Sequence, residues 1–194
     1  TELKEIIKLK DNYKPDLIAQ EYERKGYTNL SILTEEDHFH GLLSHISKVK
    51  KISQLPVLQK DFIVDEWQIY QAKTTGADCI LLIAEVLTKE EIDSFIHTAK
   101  TLQLDVLLEF HDEGEIPKIL DTNLRYIGIN NRNLHTLETN VNHTLRIRDK
   151  YHKELERFKI VAESGFKTKT ELDQYKSNQI DLFLIGESLL KEKL

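Results

Sequence analysis

The sequence predicts an α/β chain of the (β/α)8 TIM-barrel class, and three observations lead there. Short apolar, β-rich runs bounded by turn residues recur at 29–34, 56–62, 78–83, 105–109, 125–130, 158–163 and 181–185. Segments with helical periodicity and helix-start signals separate them, the signature of parallel βαβ units. Polar residues collect at the C-terminal ends of the runs, where a parallel barrel assembles its site. The repeat length approaches that of roughly 250 residues spread over eight units.

The elements follow in order. Residues 2–10 read as a short amphipathic helix with Leu3, Ile6 and Ile7 on one face. The helix at 14–25 carries Pro15 near its start, where a missing N–H costs little, and Gly26 after its end. The basic run at 48–51 closes a helix and reads as a solvated face that complements the helix dipole. Trp67 lies at the start of the next helix and reads as packing. Thr88 stands three residues before Glu91, the spacing of a capping box. Segments 140–155 and 168–175 are the next two clear helices.

No linker, low-complexity run or second domain interrupts residues 1–194, which are expected to form one barrel domain. The runs nevertheless number seven, and the first two elements are both helices. A strand is therefore expected between Lys10 and Asp11, absent from the chain as given. A seven-stranded remnant would leave a gap of roughly 9–10 Å, about two strand spacings, flanked by unpaired backbone edges. The chain begins at Thr1 and contains no Met, so it is expected to be a trimmed or partial molecule.

Composition excludes several function classes. The net charge of −6 argues against a nucleic-acid partner, which requires a concentrated basic face. It is compatible with a small phosphate held by backbone N–H groups and one or two cations. The single cysteine, Cys79, cannot form a disulfide within the chain and reads as a small buried hydrophobe in a reducing compartment. No apolar stretch is long enough for a bilayer and no signal-peptide pattern is present, so the expectation is a cytoplasmic protein without a membrane partner. The eight histidines show no metal-ligand spacing, and no metal is expected.

Side-chain alternation along the strands sorts the polar residues. Lys60 shares a face with Phe62, and Glu109 with Leu107, opposite Val106, Leu108 and Phe110. Asn130 shares a face with Arg132, opposite Ile127 and Ile129, and Glu163 lies opposite Ile160 and Ala162. An ionised lysine or glutamate under the helices would cost several kcal/mol, so these faces are expected to line the barrel mouth. Convergence of Lys60, Arg132, Glu109 and Glu163 would place two cations and two carboxylates round a cleft, which is acid–base machinery with electrostatic clamps. A structural ion network filling the barrel top is the competing reading. Ser164-Gly165 and Gly186-Glu187 each follow a strand and open onto a helix, the recurrent phosphate site of this fold. Glycine there lets the backbone approach a phosphate closely.

Several segments together carry a family resemblance. They are 56–63 (Pro-Val-Leu-Gln-Lys-Asp-Phe-Ile), 127–134 (Ile-Gly-Ile-Asn-Asn-Arg-Asn-Leu), 162–165 (Ala-Glu-Ser-Gly) and 185–189 (Ile-Gly-Glu-Ser-Leu). Segment 31–35 (Ser-Ile-Leu-Thr-Glu), with Phe39 and Gly41, and segment 107–112 join them. In register from about Pro15 onward, the chain resembles the indole-3-glycerol-phosphate synthases. The resemblance implies ring closure, decarboxylation and dehydration of 1-(o-carboxyphenylamino)-1-deoxyribulose 5-phosphate in tryptophan biosynthesis. It implies no metal or organic cofactor, a small phosphorylated substrate as the partner, and a monomer or weak homodimer. By the same resemblance Lys60 is the general acid of ring closure and Glu109 the base of dehydration. Asn130 and Arg132 hold substrate hydroxyls or carboxylate, and Glu163 steadies the anilino nitrogen or nearby lysines. Ser164, Gly165, Gly186 and Glu187 bind phosphate, and Phe39 and Phe62 wall the aromatic ring. Asp61 reads as structural, and His111 matches no catalytic residue of the family.

The pattern breaks at the start. The family's first strand carries a Glu-x-Lys pair and a Ser-Pro-Ser segment, and neither lies between the first two helices here. Two other readings follow. A phosphoribosylanthranilate isomerase would need a Cys–Asp pair at strand ends, whereas Cys79 starts its strand. A non-catalytic phosphate-ligand barrel or pathway partner becomes the reading if the first strand is truly absent.

Overall fold

All seven apolar runs become parallel strands of one sheet, and each pairs with the next along the chain. The computed structural model describes residues 14–186 and 188. The helix predicted at 2–10, the join between Lys10 and Asp11, and Glu187 lie outside the described residues. The strands are β1 (Leu30–Leu33), β2 (Val57–Lys60), β3 (Cys79–Ile83), β4 (Asp105–Phe110), β5 (Tyr126–Asn130), β6 (Lys159–Glu163) and β7 (Leu182–Leu184). Between and before them run α1 (Pro15–Arg24), α2 (Leu43–Lys50), α3 (Glu66–Thr75), α4 (Lys89–Thr101), α5 (Ile116–Leu120), α6 (His143–Lys150), α7 (His152–Leu155) and α8 (Lys169–Ser177). A 3-10 turn, Glu113–Glu115, precedes α5. Uncrossed order with a helix in every crossover is the TIM-barrel-like α/β arrangement.

Two apolar layers decide which strand face is inner. Val57, Ile80, Leu82, Val106, Leu108, Phe110, Ile127 and Ile129 pack with Ile46, Val49, Ile69, Ile92 and Phe95 of the helices in the main core. Leu81, Ile83 and Leu107 form a separate cluster on the other face, with Leu58, Phe62, Val161 and Leu184 against it. The inner face is thus the one that carries Lys60 and Glu109 at its upper end, as alternation predicts. Cys79 starts β3 at the opposite end of this layer, partly buried, where burial pushes its thiol up to about 12.

Helix starts are set by local chemistry. Thr88 accepts from the Glu91 N–H while Glu91 reaches back to the Thr88 N–H, completing the predicted capping box. Asp65 with Gln68 and Thr168 with Glu171 do the same for α3 and α8. The helix predicted at 140–155 begins only at His143 and is broken at Tyr151. Asn140 Oδ1 accepts the Asn142 N–H at 3.0 Å, a side-chain-held turn that competes with helix there.

Two other sequence readings need correction. Trp67 is 66% exposed at the start of α3, so it is not packing inside the molecule. Lys50 of the basic run is not merely solvated: its Nζ bonds Asp78 Oδ2 at 2.9 Å, and the same oxygen accepts the Val57 N–H at 2.8 Å.

Gln59 supplies a stability prediction. It lies on the helix-facing side of β2, 1% exposed, and both its amide oxygen and nitrogen lack a hydrogen-bond partner among the described residues. An unsatisfied buried polar group costs about 1–3 kcal/mol. Gln59→Met, similar in length and without those atoms, is expected to raise unfolding free energy by about 1–2 kcal/mol. Urea denaturation with an unchanged m-value checks this, and a destabilised variant would refute it.

Candidate active site

Strand polarity places four polar side chains at one mouth. Lys60 ends β2, Glu109 lies on β4, Asn130 ends β5 and Glu163 ends β6. Lys60 Nζ sits 3.0 Å from Glu109 Oε2 and 3.4 Å from Glu163 Oε2. Asn130 Nδ2 donates to the other Glu109 oxygen at 2.7 Å. Asn130 Oδ1 accepts the Arg132 N–H at 2.9 Å, which sets the orientation of the amide. Both carboxylates are buried, whereas a quarter of the Lys60 side chain remains exposed, so Lys60 is the member of the cluster with surface open to solvent.

The carboxylates fit because β5 carries Gly128 between them. A Cβ there would overlap Glu163 Oε1 and lie 3.3 Å from the Glu109 Cα. The two acids take opposite protonation tendencies. Burial raises the Glu163 carboxyl well above its ordinary value, and the neighbouring Glu109 charge raises it further. Burial also works to raise Glu109, but the Lys60 charge and hydrogen bonds from Glu163, Asn130 and Lys60 outweigh it and hold Glu109 low. Burial would pull Lys60 down, and the two carboxyl groups reverse this, keeping it above the usual lysine value. Lys60 thus favours its ammonium form and Glu109 its carboxylate, while Glu163 holds a proton more readily than an ordinary carboxylate does. Glu163 Oε1 has no hydrogen-bond partner among the described residues. Such a group can give a proton and accept one within a few ångströms.

The remaining predicted residues surround this cluster in different ways. Phe39 and Phe62 meet with ring centroids 6.3 Å apart, tilted by 32°. Phe62 joins the inner apolar layer, while Phe39 is 46% exposed at the rim. Glu35 holds the Phe39 loop, its carboxylate accepting the N–H groups of Asp37, His38 and Phe39. Asp61 accepts from Thr34 Oγ1 at 2.5 Å and from the Phe62 N–H at 2.8 Å, tying the ends of β1 and β2. Arg132 belongs to the loop after β5, where its Nε donates to Thr139 Oγ1 at 3.2 Å. Among the described residues, the ion pairs of Glu109 and Glu163 are both made with Lys60. Of the four charged groups expected to converge, three therefore form the cluster, and Asn130 completes it.

The two glycine loops lie side by side, because β6 and β7 pair and the Ser164 N–H reaches the Leu184 carbonyl at 3.4 Å. Ser164 and Gly165 both adopt positive φ, 68° and 88°. A Cβ at Gly165 would also overlap Thr139 and crowd Val141, so glycine is needed there for two reasons. Gly186 is exposed, with open space where a Cβ would go. Ser188 Oγ donates to the Phe166 carbonyl, linking the second loop to the first.

Sequence reading passed over one strand end. Glu85 follows β3, and its Oε1 accepts the N–H groups of His111 and Asp112 at 2.5 and 2.8 Å. The same rule that picked out the other strand ends, a polar residue just after the apolar run, would have found it. Leu134, in the loop after β5, and Leu184 of β7 also join Phe62 on the inner wall, and only Leu184 has strand alternation as a sequence signal.

Fold and mouth together define a TIM-barrel-like α/β protein with a lysine–carboxylate cluster at the C-terminal ends of its strands. The architecture is shared with N-acetylmannosamine-6-phosphate 2-epimerase from Clostridium perfringens, with a TM-score of 0.62 over 89% of this chain and 78% of that one at 11% identity. Within this class the chain belongs to the indole-3-glycerol phosphate synthase family, whose model matches residues 4–193. Proteins of that name are 41% identical over 180 residues in Lachnoclostridium phytofermentans, 40% over 185 in Endomicrobium trichonymphae and 38% over 183 in Petrotoga mobilis. Each alignment covers 93% of this chain, which spans 65%, 69% and 72% of those relatives.

Proposed function

We propose that this chain carries the active site of an indole-3-glycerol-phosphate synthase, acting on 1-(o-carboxyphenylamino)-1-deoxyribulose 5-phosphate. The observation that supports it most is Lys60, whose side chain is partly exposed and whose ammonium is backed by Glu109 at 3.0 Å and Glu163 at 3.4 Å. Ring closure joins an aromatic carbon to the sugar carbonyl carbon, and the carbonyl oxygen takes a proton from Lys60. Carbon dioxide then leaves, and its bonding pair restores the aromatic ring. Lys60, reprotonated from solvent, then gives a proton to the new hydroxyl, which departs as water, while Glu109 accepts the proton lost from the neighbouring ring carbon. Glu163 steadies the anilino nitrogen and Lys60.

Asn130 and Arg132 hold the hydroxyls or carboxylate of the substrate, while Phe39 and Phe62 cover its ring. Ser164, Gly165, Gly186 and Glu187 take the phosphate, chiefly through backbone N–H groups beside a helix start. A phosphate ester does not cross a bilayer unaided, which supports a cytoplasmic enzyme. A monomer or weak homodimer suffices, since the cluster is built from one chain.

The experiment is turnover of the substrate by the purified protein, followed by fluorescence of the indole product. Turnover that depends on Lys60 supports the reading. The missing Glu-x-Lys and Ser-Pro-Ser segments favour one alternative, a barrel that binds phosphorylated ligand without converting it. Calorimetric binding of indole-3-glycerol phosphate with no turnover would establish that alternative instead.

A further inference from the structure

We infer that His111, backed by His143, is a positioning residue that holds the Asn130–Glu109 pair in register at the mouth. The inference rests on the synthase reading for its catalytic consequence, but its geometry stands apart from it.

His111 lies two residues beyond Glu109 and is bonded at its N–H, its carbonyl and its ring Nδ1. Its N–H donates to Glu85 Oε1 at 2.5 Å, which ties it to the end of β3. Its ring Nδ1 is 2.7 Å from the Asn130 carbonyl oxygen at the end of β5. A carbonyl only accepts, so Nδ1 carries the hydrogen. The His111 carbonyl in turn accepts from His143 Nε2 at 2.8 Å, across to α6. Nδ1 of His143 faces Arg146 Nη2 at 3.3 Å and accepts from it, so His143 is a neutral ring with its hydrogen on Nε2. The two imidazoles stack, with centroids 4.1 Å apart and planes 14° from parallel. Arg146 pairs with Glu113, which closes the chain of contacts back to the segment that follows His111.

The consequence falls on Asn130. Its carbonyl is bonded by His111, its Oδ1 by the Arg132 N–H, and its Nδ2 is spent on Glu109. Each of these restrains one end of the residue: the Nδ2 bond joins its side chain to Glu109, and the ring of His111 ties its main chain to the segment that follows the strand bearing Glu109. Without that ring the carboxamide could turn from Glu109 Oε1, and Glu109 would lose the donor that keeps its second oxygen ionised and aimed. No such role follows from sequence spacing, because the bond from His111 to Asn130 joins residues 19 apart through a backbone atom.

The test uses three variants of the full chain and two readouts. His111→Leu removes the ring donor, His111→Asn keeps a donor at the δ position, and His143→Phe keeps the stack but removes the bond to the His111 carbonyl. The first readout is the Asn130 side-chain amide resonance in nitrogen-labelled protein. The second is steady-state kinetics. His111→Leu is expected to move the amide resonance and lower kcat about tenfold to a hundredfold, with KM within about twofold, as for a misplaced catalytic group. His111→Asn is expected to restore both, and His143→Phe to fall between. An Asn130 resonance at its wild-type position in a folded His111→Leu protein overturns the inference, as does an asparagine variant as impaired as the leucine one. If the wild-type protein shows no turnover, the synthase reading fails alone, and the resonance still decides the positioning role.

Discussion

Replacing Lys60 by methionine is expected to lower kcat by about 10²–10⁴-fold, the span ordinarily lost with a positioned proton donor. The same change should give the protein a new dependence of stability on pH. Methionine preserves the apolar stem but leaves Glu109 and Glu163 buried side by side with no cation between them. Breaking a buried pair from one side costs about 3–5 kcal/mol when the other side stays charged. Here protons can replace the lost ammonium, so the cost depends on pH.

The sign follows from linkage. With Lys60 gone, both carboxyls would have folded-state values above the ordinary carboxylate value of about 4.3. Such groups contribute stability fully below that pH and lose it as pH rises through the raised values. In the native protein only Glu163 behaves this way, while Glu109, held low, contributes above the ordinary value and loses its contribution as pH falls. The variant should therefore match the native protein most nearly around pH 4 and fall behind it progressively toward neutrality. Urea unfolding across pH about 4 to 8 measures the difference. A gap that does not widen with pH would show that the two acids are not buried together as described. Unimpaired turnover would remove Lys60 from its proposed role.

A single methyl group at Gly128 is expected to be almost as damaging, although glycine takes no part in the chemistry. The added Cβ would overlap Glu163 Oε1, approach Glu163 Cδ at 3.2 Å and Glu109 Cα at 3.3 Å. Glu163 is fully buried and has nowhere to swing. Either its carboxyl leaves Lys60 or β4 and β5 part. Overpacking of this kind costs about 1–3 kcal/mol, and a displacement of about 1 Å at a reacting group costs on the order of 10²-fold in rate. Gly128→Ala should thus unfold at lower denaturant and lose about 10–10²-fold in kcat. A fully active Gly128→Ala protein would mean that Glu163 is not held against Lys60 during turnover.

Much of this arrangement was legible beforehand, for a reason that is local. A strand alternates its side chains between two faces, and the apolar partners of Lys60, Glu109, Asn130 and Glu163 left one face for the mouth. Capping residues such as Thr88 and Glu91 act within four residues of one another, and they form as read. Trp67, Asn140–Asn142 and Glu85 were misread or missed because their state depends on neighbours distant in sequence. Trp67 finds no layer to cover it. Asn140 prefers a turn braced by its N–H to the Asn131 carbonyl over a helical start. Glu85 matters only because the β4 loop passes within its reach.

The sequence by itself determined the seven strands, the alternation that sorts the side chains of β2, β4, β5 and β6, the Thr88–Glu91 cap and the residue types at the strand ends, since periodicity and capping are properties of neighbouring residues. Tertiary structure alone decided how charge is divided among them. Lys60 meets carboxyls 49 and 103 residues away, and burial raises Glu163 while Lys60 and Asn130 hold Glu109 low. Distances of a few ångströms in a dry pocket set that balance, and no local pattern encodes them.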